Sequence, residues 1–158
     1  MTTAAIEKNS FVVLQLGGRK FAVPADIVSE LAPPVRLNAF PHRTPVVAGV
    51  IVRRGRVIPV YDVSHLLLGR ASPSSRFFLV ATRHFGNREE LSAIPVDGEC
   101  ELVSGELLPT PEDSPSFVTG MLALKNDQIE VLDFENLVRG DPETNHQSLE
   151  SPNQEVQS

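Results

Sequence analysis

The sequence predicts an all-β fold, strands with short helices, arranged as two copies of one small five-stranded barrel packed on each other. Two observations carry this. Short Val/Ile/Leu runs are broken by 13 prolines and 10 glycines, which suits strands and tight turns better than long helices. The chain also repeats itself: with an offset of 71, residues 21–69 lie on 92–140 without a gap, and 13 of the 49 positions are identical. Ordinary amino-acid usage would give roughly 3 such identities. A period this long implies duplication of a whole small fold rather than a solenoid. Copies of this size gain from closing into barrels, which removes exposed strand edges, and from packing together.

The elements follow in order. Residues 1–10 contain no apolar run and are expected to be a flexible N-terminus without a secretory signal. Phe11–Leu16 and Arg19–Val23 read as a hairpin around Gly17-Gly18, since Gly-Gly accepts the positive φ of primed turns. Pro24 ends the second strand. Asp26–Leu31 offers a cap and a short turn or helix, and Ala32–Pro45 holds four prolines in a loop expected to be rigid. Val46–Gly69 (VVAGVIVRRGRVIPVYDVSHLLLG) reads as strand, turn at Arg54-Gly55, strand, then a short helix capped by Asp62 and stopped by Gly69.

After a polar link at Arg70–Ser75, Phe77–Ala81 and Leu91–Val96 form a second, longer hairpin. Asp97–Leu107 alternates acids with hydrophobics, Pro109–Pro115 repeats the proline-rich loop, and Phe117–Gly140 repeats the strand-turn-strand-helix. The ordered domain is therefore expected at 11–140, with subdomains about 11–76 and 77–140. Residues 141–158 carry four acids, no Lys or Arg and two large aliphatics, and are expected to form a disordered acidic tail.

Shared residues identify the frame. Gly49, Asp62 and Gly69 recur as Gly120, Asp133 and Gly140, and Asp26 recurs as Asp97. The tip Arg53-Arg54-Gly55-Arg56 does not recur; its counterpart is Leu124-Lys125-Asn126-Asp127. Residues 11–76 carry a net charge of +6 and residues 77–140 a net charge of -8. Halves of opposite sign favour ordered contacts with a partner, or head-to-tail association.

Chemistry is sparse. None of the four histidines, 42, 65, 84 and 146, pairs with another ligand at metal-site spacing, so no metal or other cofactor is expected. Asp62, Ser64 and His65 are sequence neighbours that cannot converge as a triad does. Asp133 repeats Asp62 in a copy where Asn136 replaces the histidine, which makes Asp62 structural. Cys100 lies between Glu99 and Glu101, whose charges would raise its thiol pKa. A single cysteine fits a reducing compartment, and no segment is long and apolar enough for a membrane helix, so a cytoplasmic protein without membrane insertion is expected. A net charge of -6, one Tyr and no Trp disfavour nucleic-acid binding. A basic turn with three arginines remains, and arginine is enriched where proteins meet.

The segment GVIVRRGRVIPVYDV resembles the central motif of CheW-like domains, the coupling proteins of bacterial chemotaxis. Gly49, Arg54, Gly55, Pro59, Val60 and Asp62 match that motif by position. Val28-Ser29-Glu30 resembles the family's Val-x-Glu, Pro95-Val96-Asp97 its second-half Val-Asp, and Ile129–Asp133 with Leu137 its closing segment. The resemblance covers residues 10–140. It implies two five-stranded β-barrel subdomains around a shared core. It also implies a non-catalytic adaptor joining chemoreceptor signalling tips to a histidine kinase whose regulatory domain has the same fold, in rings of alternating domains. On that resemblance Val28, Glu30, Gly49 and Arg54 fall at partner-contact positions, and Arg53 and Arg56 flank them on the tip. Val52-Arg53 replaces the family's Asn-Leu and Asp62-Val63-Ser64 its Asp-Leu-Arg. These departures fit a specialised paralogue that keeps one partner or serves a pathway other than chemotaxis.

Overall fold

The computed structural model describes residues 10–39, 47–72 and 77–139. Among the described residues, eleven strands form two sheets. The first contains β1 (Ser10–Leu16), β2 (Arg19–Pro24), β8 (Glu101–Ser104), β9 (Glu106–Leu108), β10 (Val118–Leu124) and β11 (Asp127–Leu132), in the order β8-β1-β2-β11-β10-β9. The second contains β3 (Val28–Ala32), β4 (Val47–Arg53), β5 (Arg56–Tyr61), β6 (Phe77–Phe85) and β7 (Arg88–Val96), in the order β3-β6-β7-β5-β4. Two short helices, α1 (Ser64–Leu68) and α2 (Phe134–Arg139), follow β5 and β11.

Connectivity closes both sheets into barrels. β8 and β9 lie at opposite edges of the first sheet, yet only Gly105 separates them in the chain. One residue spans a few ångströms, so the two edges must meet. In the second sheet β3 forms one edge, and six residues after it Asn38 exchanges two backbone hydrogen bonds with Val50 of β4 at the other edge, at 2.8 and 2.9 Å.

Side chains alternate accordingly. Phe11, Val13, Ala22, Leu122, Ile129 and Val131 fill the first barrel, and Ala32, Ile51, Ile58, Val60, Phe78, Val80 and Ala93 fill the second. The intervening residues Leu14, Leu16, Phe21, Val23, Leu79, Ala81, Ile94 and Val96 face a third cluster between the barrels. Val63 and Leu67 of the first copy join it, as do Phe134, Leu137 and Val138 of α2. Burying one such aliphatic or aromatic side chain contributes about 1.5–3 kcal/mol, so the shared cluster binds the barrels into one body.

The barrels do not follow the expected division at 11–76 and 77–140. Each takes its leading hairpin from one sequence copy and its remaining strands from the other. The joints are the two parallel pairings, β2 with β11 through Ala22↔Val131 and β5 with β7 through Val60↔Ala93. These pairs are related by the offset of 71. The β-bulges between Val47 and Gly49 and between Val118 and Gly120 are related in the same way. The duplication is therefore visible in register and irregularity, with the leading hairpins exchanged.

Locally, four two-residue turns make the hairpins, and Gly17, Gly18, Gly55 and Gly86 take positive φ in three of them. Residues 28–31 are not helical, as Asp26–Leu31 had allowed. A single 3₁₀ turn at Ala25–Ile27 precedes β3, because Val28, Leu31 and Ala32 gain an antiparallel ladder with β6. The N-terminal segment before Ser10, most of the second half of the proline loop, Gly140 and the acidic tail lie outside the described residues.

Candidate functional site

Glu30 and Arg53 stand on opposite edge strands of the second barrel, β3 and β4. Arg53 Nε donates to Glu30 Oε2 at 3.0 Å and Nη2 to Oε1 at 3.1 Å, a two-point bridge across the barrel seam. Parity explains it: Ile51 points into the barrel, so Arg53 does too, at the barrel's end where its head reaches the seam. The Arg53 hydrogen bond holds the Glu30 carboxyl below its ordinary pKa, with the charges of Arg53 and Arg54 acting in the same direction. The first barrel has no such strap. There Leu124, the counterpart of Arg53, is half-buried against the barrel interior.

Arg54 occupies the first turn position with φ 54°, a left-handed conformation that non-glycine residues seldom adopt. Its side chain is 79% exposed and its Nη2 lies 3.7 Å from Glu30 Oε1. Arg56 begins β5 and is exposed. Val28, half-buried on β3, packs at the margin of the shared cluster. Gly49 is buried, and a Cβ there would collide with the Asn38 carbonyl oxygen and approach Leu37 Cδ1 to 3.1 Å. Its contribution is made inside the barrel wall, and a partner would feel it only through the position of Asn38. The site that forms is therefore Glu30 with Arg53, Arg54 and Arg56.

Beside it lies a feature the sequence reading passed over. Val52 and Val57 are cross-strand partners on the outer face of β4 and β5, 52% and 66% exposed. Their alternation with buried Ile51 and Ile58 was the signal: between inward residues, Val52 and Val57 must face outward. Two exposed aliphatics side by side on the outer face, beside a turn that exposes Arg54, make a candidate contact surface.

The structural residues act as their types suggest. Asp62 Oδ1 accepts from Ser64 N–H at 3.0 Å and Ser64 Oγ at 2.6 Å, and the N–H of Gly69 (φ 77°) donates to His65 C=O, closing α1. Asp133 caps α2 through Asn136 N–H at 3.3 Å, with Asn136 Nδ2 returning to its other oxygen at 3.1 Å. Asp97 Oδ2 accepts from Gly17 N–H at 2.6 Å, tying the turn of the first hairpin to the end of β7. Gly120 repeats the tight place of Gly49, under Leu107 and the Leu108 carbonyl.

Elsewhere, an apolar groove of about 260 Å³ runs between Pro24, Ile27, Thr82, Leu132 and Phe134. On its rim the His84 N–H donates to Glu135 Oε2 at 2.9 Å, and the imidazole lies within 3.3 Å of Glu135 and 3.2 Å of Glu89. These contacts hold the Glu135 carboxyl below its usual range. Arg83 is buried, its Nη1 3.2 Å from the Tyr61 hydroxyl and its guanidinium over the Tyr61 ring. The Cys100 thiol is pushed up to about 11, as anticipated in direction, but the cause is burial and not the flanking glutamates. No group of three metal-ligating side chains forms among the described residues, and none of their helices is long and apolar enough to cross a membrane.

The CheW-like domain family matches residues 10–142, nearly the whole described chain. The chain belongs to the CheW-like family. A probable chemotaxis protein CheW of Rhizobium etli is 28% identical over 134 residues, covering 80% of this chain and 84% of that one. The crystal structure of the scaffolding protein TtCheW from Thermoanaerobacter tengcongensis superposes with a TM-score of 0.68 at 19% identity, covering 82% of this chain and 87% of that one. That likeness establishes the shared fold. The mainly β, two-subdomain CheW-like fold that was expected is thus borne out, with six strands in the first sheet where five were expected.

Proposed function

We propose that this CheW-like domain is a non-catalytic adaptor that couples chemoreceptor signalling tips to the regulatory domain of a CheA-like histidine kinase. The observation that carries the reading is the tip of the β4–β5 hairpin. It presents Arg54, Arg56 and the Val52–Val57 pair on a barrel braced by the Glu30–Arg53 bridge. A braced frame with an exposed arginine at the turn and an apolar pair on the adjoining outer face suits protein contact, since little side-chain and backbone freedom is lost on binding. Glu30 on β3 borders the same region, whereas Val28 packs at the margin of the shared cluster. The same reading extends to a ring or head-to-tail assembly alternating with the kinase domain, supported by the family resemblance, with the cytoplasm beneath receptor arrays as the working location.

The direct test is titration of the full chain with a receptor signalling tip and, separately, with the kinase regulatory domain. Binding of both supports coupling, and no binding of either at about 50 µM, a weak ~6 kcal/mol interaction, overturns it. Arg54→Ala is expected to weaken at least one contact by about 1–3 kcal/mol. A second reading, a specialised paralogue that keeps one partner, is favoured by Arg53. That residue inserts a cation where the family motif has Leu, and binding of only one of the two partners is its expected result.

A further inference from the structure

We propose that Arg53 is a specificity-determining residue of the tip: by engaging Glu30 itself, it keeps Arg54 free to bind a carboxylate of the partner. Both arginines reach the same carboxyl group. Arg53 Nε and Nη2 donate to its two oxygens at 3.0 and 3.1 Å, whereas Arg54 Nη2 stays 3.7 Å from Oε1, beyond hydrogen-bond length. Two parallel N–H···O bonds occupy the edge of the carboxylate that a second guanidinium would need for the same geometry. Exposure separates the two arginines in the same way. The Arg53 and Glu30 side chains are 23% and 21% exposed, and the Arg54 side chain is 79% exposed. Among the described residues the Arg54 side chain makes no hydrogen bond, so its five N–H donors remain available.

The charges at the tip show what Arg53 changes. Arg53 and its cross-strand partner Arg56, with Arg54 in the turn between them, carry three positive charges against one acid, Glu30. With a neutral side chain at position 53, such as the Leu124 that holds the equivalent place in the first barrel, a small side-chain torsion would bring Arg54 onto Glu30. Its charge would then be matched inside the molecule, and a partner's carboxylate would gain only by displacing Glu30. Arg53 removes that competition. The excess charge is local to the tip: Glu89 and Glu90 share the second sheet with Arg53 and Arg56, so the net charge of +6 of the first sequence copy does not survive as a positively charged barrel. A planar guanidinium with free donors fits a carboxylate through two parallel hydrogen bonds, and this sets the chemistry of the partner group.

The partner itself rests on the adaptor reading, so one arm of the test uses the full chain alone. Carboxyl NMR follows the titration of Glu30 in the wild-type chain, in Arg53→Leu, in Arg54→Gln and in the double variant, with folding checked by circular dichroism. The Arg53 hydrogen bond is the largest cause of the lowered Glu30 carboxyl and the charge of Arg54 the smallest. Arg54→Gln is therefore expected to change the Glu30 titration little while Arg53 is present. It is expected to change it markedly in the Arg53→Leu background, where Arg54 has moved onto the carboxyl and retains part of the depression. An equal effect of Arg54→Gln in both backgrounds overturns the proposal. The second arm measures affinity for a receptor signalling tip and for a kinase regulatory domain, separately. Arg53→Leu is expected to weaken the contact that uses the tip about tenfold, and to have no effect once Arg54 is replaced by Gln. A loss of equal size in both backgrounds overturns the proposal, because Arg53 would then act on the frame or touch the partner itself. Failure of both partners to bind counts against the adaptor reading, and the Glu30 titration still decides whether Arg53 holds Arg54 free.

Discussion

At the scale of residues, two adjacent arginines have different tasks. Arg53 is a strap and Arg54 a presented group, although only Arg54 matches the family motif. Strand parity makes Arg53 legible as inward-facing once Ile51 is known to be buried. Nothing in the sequence shows that its partner is Glu30, 23 positions earlier, because that depends on barrel closure. The pH dependence follows from the lowered Glu30 carboxyl. A carboxylate depressed in the folded state adds stability at pH values above its unfolded pKa, and that stability is lost as pH falls through the folded value. Arg53→Leu is therefore expected to lower the midpoint of chemical unfolding near neutrality and to flatten its decline between about pH 5 and pH 3. A parallel pH curve for the variant would show that the bridge contributes nothing. Arg54→Gly tests the other arginine. Glycine removes a left-handed penalty of about 1–2 kcal/mol per residue, so thermal stability is expected to rise, while affinity for the partner that uses the tip falls.

At the scale of elements, the bulged strands β4 and β10 show why glycine recurs at 49 and 120. Each bulge turns the strand so that the crossing segment lies directly over it, and a methyl group has no room beneath Asn38 or Leu108. Gly49→Ala is expected to cost about 1–3 kcal/mol by overpacking and to speed amide exchange at Val50, whose N–H bonds to Asn38. Unchanged exchange there would show that the crossing segment moves aside freely. Cap chemistry was readable from Asp-x-x at both helix starts, and Asp133→Ala is expected to cost about 1 kcal/mol in urea unfolding. By contrast, Asp26–Leu31 was read as a turn or short helix, and the strand at Val28–Ala32 was missed, since so short a segment carries too few turns of either period to decide. The pairing with β6, far along the chain, settles it.

At the scale of the whole molecule, the repeat was visible in the sequence to the residue, and the barrels were not divided as the repeat suggests. Duplication itself is the reason. Two copies that keep the same frame offer each leading hairpin two similar docking edges, and no local propensity distinguishes its own copy from the other. The shared cluster, to which both copies contribute, decides that geometry. Coexpression of the separate pieces 1–76 and 77–158 provides a test. Each alone is expected to remain unfolded or aggregate, since each barrel lacks strands, while the mixture regains the dichroism of the intact chain. Independent folding of either piece would show that the exchange is optional.

The interleaving also sets an order on synthesis. Every strand of the second barrel lies between Val28 and Val96, so that barrel can close while the ribosome is still making the remainder. The β1–β2 hairpin emerges before it and then waits, its two outer partners arriving only with β8 and β11, the latter ending at Leu132. Until then Phe11, Val13 and Ala22 have no barrel to fill. The β1–β2 hairpin is thus among the last elements to find its place, and a pause in translation just after the second barrel would prolong its exposure without delaying the basic tip.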